Sequence, residues 1–163
     1  MNNGVGHARV EAFDRLALGT DGIGGDMFTE AQAAYWRARE ADPGVTPQWA
    51  LDRLAESARF AGSAFQEPSL GRIEKGAPAD VIVLEYAPPT PLTAENLAAH
   101  FVFGLSSRMV RDVFVAGEEV VRDRFLVRAD EAALRSRSME SAKVLWRRME
   151  EIPEHPFVPA GGD

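Results

Sequence analysis

A single short apolar run, Arg15-Leu16-Ala17-Leu18-Gly19, constrains this chain more than anything else in it. It is the pattern of a strand covered on both faces. Such a strand needs parallel neighbours, each joined to it by a long crossover. No strand candidate precedes it, and the next, Asp80-Val81-Ile82-Val83-Leu84-Glu85, follows only after about sixty residues. The run therefore reads as one strand of a parallel sheet whose other strands are not in this sequence.

Composition narrows the classes. With 163 residues, 45% hydrophobic and 26% charged, the chain has the balance of a single globular domain and not of a disordered segment. A net charge of −7 argues against a nucleic-acid partner, which needs clustered positive charge. The absence of cysteine excludes disulfides, thiolate metal sites and a Cys nucleophile. No apolar run is long enough to cross a bilayer, and no basic start followed by an apolar stretch opens the chain. The expectation is a cytoplasmic protein with no membrane partner.

After the run, Thr20-Asp21-Gly22-Ile23-Gly24-Gly25-Asp26 is a glycine-dense turn into a helix over 27–41. Its cap is either Thr29 in a capping box with Gln32, or Asp26. Pro43-Gly44 ends that helix, and Thr46-Pro47 opens another, with Ala50, Leu51, Leu54, Ala55 and Ala58 toward a core and a bend at Ala61-Gly62. A turn-rich stretch leads into the strand at 80–85, and prolines 88, 89 and 91 form a linker. A short helix over 94–103 carries His100. Strands at 109–116 and 119–127 form a hairpin around Gly117. The last helix runs from its cap Asp130 to Glu150, with Met139, Ala142, Leu145, Trp146 and Met149 on one face. Trp36, Trp49 and Trp146 read as core anchors, residues 1–8 as a loop and 153–163 as a loose tail.

Among groups that could do chemistry, Asp21 stands out, because the carboxyl end of a parallel strand is where α/β folds place ligands and metals. On local features alone it reads first as a turn residue or cap, since Thr-Asp-Gly is a common turn tripeptide. The loop fails as a phosphate cradle: a G-x-G-x-x-G frame from Gly22 puts Met27 at the third glycine, and Asp21 and Asp26 repel anions. A calcium loop fails at Ile23. His7, His100 and His155 form no H-x-H or H-E-x-x-H pair and supply no zinc set. Arg135, Arg137, Lys143, Arg147 and Arg148 read as a solvated helix face.

Taken in order, Met1-Asn2-Asn3-Gly4-Val5-Gly6, Leu18-Gly19-Thr20-Asp21-Gly22 and Gly71-Arg72-Ile73-Glu74-Lys75-Gly76-Ala77-Pro78-Ala79-Asp80-Val81-Ile82-Val83 resemble the last third of amidohydrolase-superfamily enzymes. The nearest branch is the cytosine-deaminase and chlorohydrolase group, SsnA-like aminohydrolases in particular. Asp112–Val121 is similar to the family's closing hairpin, with Ala116 where Asn is usual. The resemblance runs to about residue 150.

It implies an α/β chain that is the C-terminal part of a metal-dependent (β/α)8 TIM barrel. Residues 1–68 would be the terminal barrel segment, with the last strand at 15–19, and 69–128 strands of a small composite β-sandwich with a short helix. Residues 129–152 would be a helix packing back on the barrel, and 153–163 a flexible tail. Asp21 becomes the catalytic and metal-side carboxylate. The resemblance implies that a zinc or iron ion of the full-length enzyme would make a bound water more acidic, and that Asp21 would accept its proton. The products are ammonia or chloride from an amidine-like or heterocyclic small-molecule substrate.

The metal histidines and catalytic Glu of that family are absent here. The expectation is a C-terminal fragment, inactive and metal-free alone, with substrate-binding residues unknown. Its orphaned strand at 15–19 would expose apolar surface and drive self-association. The alternatives are a non-catalytic module that completes a site with a separate chain, and a small anion-binding domain at the Gly22–Gly25 turn.

Overall fold

The computed structural model describes Val10, Phe13, residues 15–22 and residues 24–153. The expectations for residues 1–8, His7, Ile23, His155 and the tail beyond Pro153 lie outside the described residues. The described elements are helices α1 (Met27–Ala41), α2 (Pro47–Ala64), α3 (Leu97–Gly104) and α4 (Glu131–Glu150), and strands β1 (Val81–Leu84), β2 (Val110–Val115), β3 (Glu118–Arg122) and β4 (Phe125–Leu126). The chain divides into two compact units, Met1–Arg124 and Phe125–Asp163.

In the first unit, α1, α2 and α3 pack on one another. Alanines make that close approach feasible: Ala31, Ala34 and Ala50 are fully buried, joined by Tyr35, Val102 and Leu18, with Trp49, Leu54 and Phe101 packed against them. Asp26 caps α1, its carboxylate accepting from the Phe28 and Thr29 amides. The Thr29–Gln32 box is not formed, because Gln32 instead donates to the Leu105 carbonyl at 3.2 Å and ties α1 to the end of α3.

Several expectations are corrected. Residues 15–19 form no strand. A strand exists only by pairing its backbone with a neighbour, and here the Leu18 amide and carbonyl are both taken by the Ser57 hydroxyl of α2, at 2.8 and 3.0 Å. Leu18 is buried and Leu16 half-buried, in or against the core, while Ala17 between them is exposed. Helix α2 continues through Ala61-Gly62 without ending there; Gly62 is needed because a Cβ would sit 2.6 Å from the Glu67 carbonyl oxygen. Ala55 is exposed, and Trp36 and Trp146 are more than half exposed, whereas Trp49 packs against the core.

β1 and β2 pair antiparallel, as do β2 and β3. The β2–β3 connection is the two-residue turn Ala116-Gly117, with φ of 50° and 79°. Those angles match the right-handed twist of a hairpin, but they suit Asn or Gly, not Ala. The strand expected over 119–127 breaks at Asp123-Arg124, a second pair of left-handed residues with φ of 47° and 71°. Asp112, beneath that turn, accepts from the Asp123 amide at 2.9 Å. The Arg111 guanidinium, followed by that amide, holds the Asp112 carboxyl below its usual range.

Replacing Ala116 by Asn is expected to stabilise the chain by about 0.5–1 kcal/mol, since Asn adopts the left-handed region at lower cost. A thermal midpoint that stays the same or falls would show that the turn carries no strain.

Candidate functional site

The site is built around the turn that follows the Leu18 segment. Ser57, half-buried on α2, receives the Leu18 amide and donates to the carbonyls of Leu18 and Arg53. One hydroxyl thereby pins the backbone three residues before Asp21. Asp21 itself is exposed and left-handed, with φ of 56°. Its Oδ1 accepts from the Gly22 amide at 2.6 Å, and the Thr20 hydroxyl lies 3.4 Å from its carbonyl oxygen. The carboxylate is thus presented to solvent at a turn whose start is anchored. Among the described residues no parallel strands flank it.

The turn ends on a second anchor. Asp26 Oδ2 accepts from the hydroxyls of Thr29 at 3.0 Å and Ser107 at 2.7 Å, so one carboxylate caps α1 and ties it to the segment after α3. Partial burial pushes the Asp26 carboxyl up. The hydrogen bonds from Ser107, Thr29 and Phe28 outweigh it and leave the group below its ordinary value. A depressed carboxyl contributes stability that is complete above the unfolded pKa and disappears as pH falls through the folded one. The stability difference between wild type and Asp26→Ala, about 1 kcal/mol for a lost cap, should therefore be constant from pH 7 to about 4 and shrink below that. Chemical denaturation across that range measures it; a difference that grows on acidification would contradict the capping account.

The remaining sequence candidates are structural. His100 is buried, with Nδ1 at 2.6 Å from the Tyr86 hydroxyl and Nε2 at 3.1 Å from Thr90 Oγ1, so both ring nitrogens are occupied. Asp80, within the longest motif, accepts from the Ala116 amide at 2.7 Å, while the Ala79 carbonyl accepts from the Gly117 amide at 3.1 Å. That motif braces the hairpin turn. Glu30, on α1, is fully buried. Sequence reasoning missed Ser57, a lone serine amid a helical apolar pattern. It also missed the Tyr86–His100 pair, whose close fit is visible only at Gly104, where a Cβ would run into the Tyr86 hydroxyl. Among the described residues no group of three or more His, Cys, Asp or Glu side chains could hold a metal ion.

The sequence profile of the Amidohydrolase family matches residues 7–120. The chain belongs to the amidohydrolase family. The 5'-deoxyadenosine deaminase of Methanopyrus kandleri is 34% identical over 136 residues, covering 80% of this chain and 31% of that protein. The 5-methylthioadenosine/S-adenosylhomocysteine deaminase of Haloarcula marismortui is 32% identical over 145 residues, 85% of this chain and 33% of that protein. The chain thus spans about a third of these curated relatives.

Solved structures show the same fold. An adenosine deaminase from Xanthomonas campestris with bound zinc superposes with a TM-score of 0.58 at 20% identity, over 77% of this chain and 28% of that one. The zinc complex of atrazine chlorohydrolase TrzN from Arthrobacter aurescens does so with 0.57 at 22%, over 72% and 26%. This amidohydrolase chain is accordingly an α/β portion of the barrel-type fold of its family. No helix among its described residues is long and apolar enough to cross a membrane.

Proposed function

We propose that this chain is part of a metal-dependent hydrolase that removes the amino group of a nitrogen heterocycle, adenine nucleosides among that class, and that Asp21 is the proton-accepting carboxylate it contributes. The observation that carries the reading is Asp21 itself: exposed, on a left-handed turn anchored by Ser57, within the segment the family profile matches. The deaminase names of the two relatives support the reaction class, and the zinc in the two solved structures supports the metal. Loss of chloride from a ring carbon is the variant of this reading that the chlorohydrolase suggests.

The described residues do not fit a divalent ion by themselves. A catalytic zinc takes at least three protein donors, and no such group occurs here. The zinc or iron of the proposed enzyme is held by donors outside the described residues, and this chain alone is inactive. A second reading follows from the same two facts, the lack of such a group among the described residues and the one-third span: a module without activity of its own that completes a site with a histidine-bearing partner chain.

Ammonia release from adenosine and 5'-deoxyadenosine separates the two. The protein purified from its native source, loaded with zinc or iron, should release ammonia, while the 163-residue chain alone should neither do so nor bind zinc stoichiometrically. Tight one-to-one zinc binding with turnover by the chain alone overturns the divided site. Activity that appears only when a second, H-x-H-bearing polypeptide is added favours the module, and no turnover in any preparation overturns the deaminase reading.

A further inference from the structure

A backbone amide that follows an aspartate can attack the side chain before it, and glycine at that place obstructs the attack least, because it has no Cβ. Asp21 is the one aspartate in the sequence that is followed by glycine. Both residues are exposed. A Cβ built on Gly22 would meet nothing within 4 Å, so the surroundings leave the amide open as well.

Geometry adds to the pairing. The Gly22 nitrogen lies 2.6 Å from Asp21 Oδ1, which places it beside the carboxyl carbon Cγ. Asp21 holds this arrangement at a left-handed φ of 56°, between two anchors in the same compact unit: the Ser57 hydroxyl on Leu18 and the Asp26 cap of α1. A nucleophile and an electrophilic carbon held side by side in one chain react without the entropy cost of meeting. The other carboxylate of the turn lacks this combination. Asp26 is followed by Met27, is half-buried, and accepts from the amides of Phe28 and Thr29.

We propose that Asp21-Gly22 is a site of spontaneous isomerisation, at which this 163-residue chain closes a succinimide ring and reopens it as isoaspartate. In the first step the Gly22 nitrogen bonds to Cγ and a Cγ–O bond breaks. The departing oxygen leaves as water, with the amide proton and the proton of the carboxylic acid. In the second step water adds to the Asp21 backbone carbonyl carbon, and the bond from that carbon to the Gly22 nitrogen breaks. The carbon keeps the hydroxyl and the nitrogen takes the proton. The main chain then runs through Cβ and Cγ, and the free carboxyl group sits on Cα. The inference needs the turn and not the metal, so it is independent of the catalytic reading. Where Asp21 serves as proton acceptor, the same event ends that role.

Prolonged incubation of the whole chain in neutral buffer, followed by trypsin and mass spectrometry, tests it. Cleavage after Arg15 and Arg37 yields one peptide with both Asp21 and Asp26, and leaves Asn3-Gly4, a second pair capable of ring closure, on another. The first peptide should appear lighter by one water, and then at its original mass as a second chromatographic form. Electron-transfer fragmentation should assign the rearranged backbone to Asp21. Conversion should be at least as fast as in the same peptide free in solution. Gly22→Ala should slow it about tenfold, because a Cβ crowds the attacking nitrogen out of line. Gly22 is not left-handed and has room for a methyl group, so this variant keeps the fold, which circular dichroism checks. The absence of a second form, its assignment to Asp26, slower conversion than in the free peptide, or a Gly22→Ala variant that converts at the wild-type rate overturns the proposal.

Discussion

Asp21→Asn should lower ammonia release by the metal-loaded native protein about 10³-fold while leaving its stability within about 0.5 kcal/mol. The two numbers belong together. Asn adopts the left-handed region that Asp21 occupies at φ 56° as readily as Asp does. Its amide oxygen can still accept from Gly22, so the turn survives. The substitution removes only the negative charge and the capacity to take a proton, and positioned proton acceptors are worth on the order of 10²–10⁴ in rate. Initial-rate assays paired with thermal unfolding measure both. A variant that keeps wild-type turnover would relegate Asp21 to a turn residue.

Gly71→Ala should cost about 3 kcal/mol, against about 1 kcal/mol for Gly76→Ala in the same motif. Both glycines are left-handed, with φ of 77° and 93°, so both substitutions carry the penalty of a side chain in that region. Their surroundings differ. A Cβ on Gly71 would lie 2.6 Å from the Ala58 Cβ of α2, whereas one on Gly76 would meet nothing within 4 Å. The extra cost at Gly71 is overlap in a packed contact that α2 can relieve only by shifting. Urea unfolding of the two variants measures the contrast, and equal losses would show that the turn does not press on α2.

Much of the local structure was legible because it depends on neighbouring residues. Asp130 reads as a cap in the sequence and caps α4, and Asp26, one of two caps the sequence offered, caps α1, since a carboxylate needs only the amides two and three residues ahead. Gly117 marked the hairpin for the same reason. Asp21 could be singled out from its place after an apolar run, but the role proposed for it depends on metal donors that do not occur among the described residues. The 15–19 run has the composition of a strand but forms none among the described residues: a ladder needs a partner, and Ser57, 39 residues away, holds the Leu18 amide and carbonyl.

The sequence by itself determined the Asp130 cap, the hairpin turn at Gly117, the family and the carboxylate worth testing, all of which are written in short-range chemistry or in ordered motifs. Tertiary structure alone decided that Asp80 braces the Ala116 turn, that His100 is occupied by Tyr86 and Thr90, and that Gly71 must stay bare beside Ala58. Those outcomes turn on which distant atoms come within about 3 Å, a distance set by packing and invisible in the order of residues.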